Sequence, residues 1–434
     1  MVKGLIKDVF IYGAAGAVAK ALHFFLVPLY TRLFLPSEYG IVDLVTVITG
    51  IFSLMATIQM ESAMGRFYSE ANDISGKNEV CSTGLLTVVV SSTLMFLIFN
   101  LSSVYFSTYF LNGLHRDTLT IASCTIILSA IYGYFINLLR FIRKPLLYAS
   151  TVILQITATV ITILWLVIDY QMGIKGIFYG QIVGFSLAIA LLIILARREK
   201  LISLRWNKEM FRQLLKFGLP LLPAVLMGGS VTFISRFFML DTLTLSEIGL
   251  YSMAMKIASV MMLLDEAIRM TWAPFLYENI KKDNYKSLLK RIFVLSSLTI
   301  FSIVLIVWML LAKFIHVFVD ESYMGTLFIS MILVLDFGLK SIVQLLLVAP
   351  VILKKTVYNS IITLIGLTAY VIALIVMIPM FGLNGAALSS LVSTLVILVF
   401  SWIITERLYY VGHSLAIFSI PLIILLSILF FKHS

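Results

Sequence analysis

The sequence predicts an all-α polytopic membrane protein built as two six-helix bundles, with room for a thirteenth helix at the C-terminus. Three observations carry this. Apolar runs of about 20 residues recur along nearly the whole chain, basic residues collect in alternate loops, and short motifs repeat at an offset of 209 residues. Of 434 residues, 61% are hydrophobic and 12% charged, too apolar a composition to be hidden inside a water-soluble globule.

Apolar runs bounded by charge and turn residues place spans near 9–31, 41–60, 84–106, 118–139, 146–168, 177–195, 217–240, 249–275, 292–312, 325–350, 357–379, 386–404 and 414–431. The start, MVKGLIKDVF, has a basic flank, but the apolar run behind it continues to Tyr30 and more spans follow, so it reads as a first helix rather than a cleaved leader. With the N-terminus cytoplasmic, inward loops carry 22 of the 32 Lys and Arg, and outward loops carry 5. A missed helix would invert the bias after it, so the charges check both span count and orientation. The last run, LAIFSIPLIILLSILFF, contains Pro421 and is barely long enough, so twelve or thirteen crossings both fit.

The net charge of +11 therefore reads as topology and contact with anionic lipid headgroups, not as nucleic-acid binding. Cys81 and Cys124 form no CxxC pattern and the five histidines are scattered, so neither a disulfide nor a metal site is expected, and no cofactor.

Ser37-Glu38-Tyr39-Gly40 and Ser246-Glu247-Ile248-Gly249 sit 209 residues apart, each in the turn between the first two helices of a group of six. Gly173-Ile-Lys-Gly176 and Gly382-Leu-Asn-Gly385 share that offset and open the sixth helix of each group. Six is even, so the halves share one orientation, related by a pseudo-two-fold axis along the membrane normal. The expected domains are an N-terminal bundle (1–196), an amphipathic linker on the cytoplasmic membrane surface (197–216), a C-terminal bundle (217–409) and the extra helix (410–434).

Five basic residues fall within spans: Lys20, Arg236, Lys256, Arg269 and Lys340. At membrane depth each costs at least about 2.5–3.5 kcal/mol and needs a partner, a wet cavity or a snorkelling route. Arg269 follows Asp265 by four residues and Lys340 follows Asp336 by four, which favours self-neutralised pairs on one helix face. Lys20, Arg236 and Lys256 have no such neighbour; Asp43 on another helix could serve, and Arg236 is close enough to the outer end to snorkel. Excess positive charge in a cleft favours an anionic cargo. Pro220 and Pro223 in KFGLPLLPAVLMGG are expected to kink the seventh span, either as a gate or as a static bend.

The stretches PLYTRLFLPSEYG (28–40), IQMESAMGRFYSE (58–70), LLKFGLPLLPA (214–224) and TLSEIGLYSMAMKI (244–257), in this order and spacing, resemble the Wzx-type polysaccharide transport branch of the multidrug/oligosaccharidyl-lipid/polysaccharide flippase superfamily. The resemblance implies two bundles forming a V. It also implies export of an undecaprenyl-pyrophosphate-linked oligosaccharide repeat unit from the cytoplasmic to the outer leaflet of the inner cell membrane by alternating access, for polymerisation elsewhere by a polysaccharide polymerase. In related flippases a cationic cavity lined by the first two helices of each half receives the pyrophosphate; Lys20, Arg236, Lys256 and Arg269 fall on those helices. The expected assembly is a monomer in membrane lipid.

Two other readings stand beside it: a cation-coupled exporter of small drugs from the same superfamily, and a non-transporting scaffold of glycan assembly. An enzyme is disfavoured, since no phosphate-cradling loop, HExxH or nucleophile–base pair occurs. Without a nucleotide site, pumping would draw on an ion gradient or on consumption of product, with Asp43, Asp265 and Asp336 as candidate ion ligands.

Overall fold

The computed structural model describes residues 2–198, 206–279, 285–347, 350, 352, 353, 355 and 357–412, and it is helical almost throughout, with no strand among the described residues. The order is α1 (Val2–Leu33), α2 (Pro36–Thr57), α3 (Met60–Glu70), α4 (Ile74–Phe110), α5 (Arg116–Phe141), α6 (Pro145–Leu164), α7 (Ile174–Arg198), α8 (Lys208–Gly218), α9 (Leu222–Leu240), α10 (Leu245–Ala258), α11 (Met262–Asn279), α12 (Tyr285–Phe318), α13 (Thr326–Leu346), α14 (Val357–Phe381) and α15 (Leu383–Leu408). Eleven helical segments among the described residues are long and apolar enough to cross a membrane, and each overlaps one span expected between 41 and 404. The chain is thus a multi-pass membrane protein. Helix α1 covers the span expected at 9–31, and the one at 414–431 lies outside the described residues.

The repeat seen in the sequence is also a repeat of backbone geometry. Leu35 N–H donates to Glu38 Oε2 at 2.9 Å, and Thr244 N–H, 209 residues on, donates to Glu247 Oε2 at 2.9 Å. Each glutamate closes the entry to a helix by taking an amide that the helix cannot pair itself. Gly173 and Gly382 both adopt positive φ (55° and 56°), and the amides of Gly176 and Gly385 donate to their carbonyls at 3.1 and 3.0 Å. Gly176 then packs on Leu166 and Val167, and Gly385 on Met377 and Ile378. Only small residues at these positions let the two helices of each hairpin approach so closely.

By backbone proximity the chain divides into two compact units, Met1–Leu22 with Ile41–Ile234, and His23–Gly40 with Ser235–Ser434. This differs from the expected boundary in the 197–216 linker, because α1 and α9 each contribute to both units. In the first unit α4 packs on α5, α5 and α6 on α7, and α3 on α4 and α8. The expected surface linker contains α8, capped by Asn207, whose side chain accepts from the amides of Glu209 and Met210. Leu214 of α8 is fully buried where α8 packs on α3 and α4, so the amphipathic stretch is docked on protein along its apolar stripe. Residues 199–205 of that linker lie outside the described residues.

In the second unit α13 packs against α10, α11, α12 and α15, and most of its apolar window is enclosed by protein. The C-terminal end of α1 is tied to this unit by Tyr323, fully buried, whose hydroxyl donates to the Phe34 carbonyl at 2.9 Å. Between α12 and α13, Asp320 accepts from the Ser322 amide and hydroxyl, and these bonds hold its carboxyl below the usual carboxylate range.

Candidate functional site

Lys256 lies on α10 and is half-buried in an aromatic corner supplied by residues more than 200 positions earlier in sequence. Its ammonium donates to the Tyr39 hydroxyl at 3.1 Å, lies 4.2 Å from the Tyr30 ring centroid and 5.5 Å from that of Tyr39. Both tyrosines are themselves buried and pack on each other at 5.9 Å between centroids. Tyr30 also leans on Phe34, whose carbonyl takes the Tyr323 bond, so the corner is anchored from behind. Contact of this kind is worth roughly 0.5–2 kcal/mol to an ammonium.

Arg236 has a different setting. Expected to snorkel or to face cargo, it is instead only 3% exposed, enclosed by the second unit. Its two terminal nitrogens donate to Ser235 Oγ (3.1 Å) and Ser252 Oγ (3.4 Å), and its guanidinium lies 4.9 Å from the Tyr251 ring centroid. Tyr370 of α14 reaches both Ser235 and Tyr251. A planar, forked cation suits this cage, because it can stack and direct several N–H groups at once. Arg236→Lys is therefore expected to lower stability by about 1–3 kcal/mol, since an ammonium cannot serve both serines and the ring. Thermal melting in detergent checks this, and an unchanged midpoint would show that the cage adds nothing.

The pair expected from i,i+4 spacing on α13 is formed: Lys340 Nζ lies 2.7 Å from Asp336 Oδ2. Asp336 is fully buried and also accepts from Ser390 Oγ (2.7 Å) and Thr394 Oγ1 (2.5 Å) of α15. It is near enough to Tyr251 and Tyr370 to act on them electrostatically, which puts the Arg236 cage and the Asp336 cluster in one polar region of the second unit.

Asp43 is half-buried on α2 in the first unit, and Asp265 is half-buried on α11. The side chains of Lys20 and Arg269 lie outside the described residues. Pro220 falls in a single 3₁₀ turn, Leu219–Leu221, that separates α8 from α9, and Pro223 is the second residue of α9. The backbone on either side of that turn stays right-handed helical, at Gly218 and at Leu222. Gly218 before it abuts the carbonyl oxygen of Ile58, where α2 is interrupted by two residues of positive φ, Ile58 (44°) and Gln59 (54°). A β-branched residue is strained in that conformation.

Sequence reading missed three residues. Tyr30 and Tyr39 stand in the quoted PLYTRLFLPSEYG stretch, but no local pattern links a tyrosine to a lysine 217 residues away. Glu61 accepts from Asn137 Nδ2 at 3.4 Å in the first unit and lies near Arg140. It stands in the quoted IQMESAMGRFYSE stretch, but no local pattern links it to an asparagine 76 residues on.

A profile of the family described as polysaccharide biosynthesis protein matches residues 5–280. No curated protein matches the sequence. Among solved structures, the inward closed lipid II flippase MurJ superposes with a TM-score of 0.72 at 15% identity, covering 98% of this chain and 99% of that one. An inward-facing multidrug resistance MATE family transporter of the MOP superfamily gives 0.66 at 13% identity, over 90% of this chain and 95% of that chain. A Vibrio cholerae MATE transporter gives 0.55 at 13% identity, over 93% and 96%. At these identities the likeness concerns the fold, which is that of the MOP transporters along essentially the whole chain.

Proposed function

The chain belongs to the polysaccharide biosynthesis protein family, and on that premise we propose that it is a flippase. Its cargo is an oligosaccharide repeat unit on undecaprenyl pyrophosphate, carried from the cytoplasmic to the outer leaflet of the inner membrane by alternating access. A polysaccharide polymerase then consumes the product. The alternating loop charge supports a cytoplasmic N-terminus. The observation that carries the proposal is the Lys256 corner: a half-buried ammonium, held by two tyrosines, that can meet a diphosphate as a point charge. Lys20 and Arg269 complete the proposed cationic set. Arg236, being buried, serves by shaping the helix that bears it.

The family favours this reading over drug export, which the fold alone would equally allow. The test is complementation of a deletion strain with Lys256→Ala, Lys256→Arg and Tyr39→Phe, scoring surface glycan and trapped lipid-linked precursor at matched membrane levels. A charge-assisted hydrogen bond is worth about 1.5–3 kcal/mol, so Lys256→Ala should slow export roughly 10–100-fold and accumulate precursor. Lys256→Arg should restore part of it and Tyr39→Phe should show a smaller loss. Normal glycan from a well-expressed alanine variant would remove Lys256 from the cargo site.

A further inference from the structure

We infer that the face of α5 that meets α2 and α3 in the first unit is a subsite for a sugar ring of the cargo. This rests on the flippase reading and deepens it, by naming side chains that take the glycan and not the diphosphate. α5 runs beside α2 and α3 in a single register: Ser129 Oγ donates to Ser53 Oγ at 3.1 Å, Asn137 Nδ2 donates to Glu61 Oε2 at 3.4 Å, and each pair is 76 residues apart. Ser129, Gly133 and Asn137 recur every fourth residue and so stand on one side of α5. Between the two bridges, Gly133 leaves a notch. Beyond its own helix, an added Cβ would meet nothing among the described residues nearer than Glu61 Oε2, at 3.9 Å. Farther along, the Phe141 ring lies over Gly65 and closes α5 onto α3. Glu61, Gly133 and Asn137 are all half-buried, so the notch stays reachable. A carboxylate and an amide left half-open within a span are costly against hydrocarbon, so this face meets water or a polar ligand.

The groups around the notch match the hydroxyls of a sugar. Glu61 accepts, Asn137 both donates and accepts, and the exposed Arg140, one turn beyond Asn137, donates in a planar fork. Arg140 is near enough to Glu61 to act on it electrostatically. The two charges offset each other, which suits an uncharged ring and disfavours a diphosphate. Arg140 is itself held in place: its Nη2 donates to the Tyr148 hydroxyl at 2.8 Å, and its guanidinium lies 5.0 Å from that ring's centroid. Tyr12 of α1, half-buried, meets Tyr148 edge-on at 5.0 Å and donates to the Leu139 carbonyl at 3.4 Å. Tyr12 thereby supplies aromatic surface beside the polar groups, as the hydrocarbon face of a pyranose requires.

The test uses the full chain purified in amphipol, which carries no sugar, and thermophoresis with two probes. One is the repeat-unit oligosaccharide released by mild acid from precursor trapped in the deletion strain; the other is farnesyl pyrophosphate, a soluble prenyl diphosphate. The wild type should bind both. Gly133→Leu, which fills the notch, should abolish oligosaccharide binding, and Asn137→Ala should weaken it about three- to tenfold. Both variants should keep their affinity for farnesyl pyrophosphate. Thermal melts confirm folding, and Asn137→Ala carries the test should Gly133→Leu not fold. Full oligosaccharide affinity in either folded variant, or equal loss of both probes, would overturn the subsite. A wild type that binds farnesyl pyrophosphate but no oligosaccharide would overturn the subsite alone, whereas a deletion strain that traps no precursor would overturn the flippase reading with it.

Discussion

Gly249→Ala is expected to destabilise the protein by about 3 kcal/mol or more and to abolish export in the complementation assay. A Cβ at Gly249 would fall on the Pro36 carbonyl oxygen, and 3.0 Å from the Gly40 amide nitrogen. The contact is reciprocal: a Cβ at Gly40 would fall on the Leu245 carbonyl oxygen, and 3.1 Å from the Gly249 nitrogen. Both obstacles are backbone, so no rotamer change can relieve them and the helix starts must separate. Separation would strain the Glu38 and Glu247 turn bonds and loosen the Tyr39 contact to Lys256. Gly228→Ala is the control, because nothing lies within 4 Å of its added methyl and the better helix former should stabilise by up to about 1 kcal/mol. The double Gly40→Ala/Gly249→Ala variant should cost less than the two single changes together, since one separation accommodates both methyls. A Gly249→Ala protein that melts with the wild type would show that the crossing is not a tight contact.

That crossing also shows what the sequence makes legible. The spans could be read because each is a largely apolar run bounded by charge or turn residues, and the two turns because Glu and Gly recur at one offset. The same offset holds in space: Pro36 meets Gly249 as Leu245 meets Gly40. The interruption at Ile58 and Gln59 could not be read, since neither residue favours positive φ and Gly218, which abuts the Ile58 carbonyl, lies 160 positions on. Likewise Pro220 announced a break, but not that the helix before it would dock on α3 and α4. Asp336 and Lys340 were legible as a pair from spacing alone, whereas the hydroxyls of Ser390 and Thr394 that complete the cluster come from another helix with no local mark. The setting of Arg236 was illegible for the same reason: its cage draws Ser252 and Tyr251 from α10, which encloses a cation near a span end.

Removing Lys340 alone is expected to harm the protein more than removing both charges of its pair. Asp336 is fully buried, and Lys340→Met would take away its cationic partner while leaving Ser390 and Thr394 as donors. Breaking a buried pair costs about 3–5 kcal/mol; the Lys340 side chain is 44% exposed, which places this case near the lower end, about 3 kcal/mol. In Asp336→Leu/Lys340→Met no charge is stranded, and both hydroxyls can turn back to carbonyls of their own helix, so much of the loss should be recovered. Thermal melts of the two single variants and the double give the coupling directly. The same double variant tests Asp336 as an ion ligand. In proteoliposomes, transport that persists but no longer responds to a collapsed proton or sodium gradient would support a coupling role. Unchanged gradient dependence would make the pair structural, the tethered ammonium of Lys340 already filling the place a coupling ion would take.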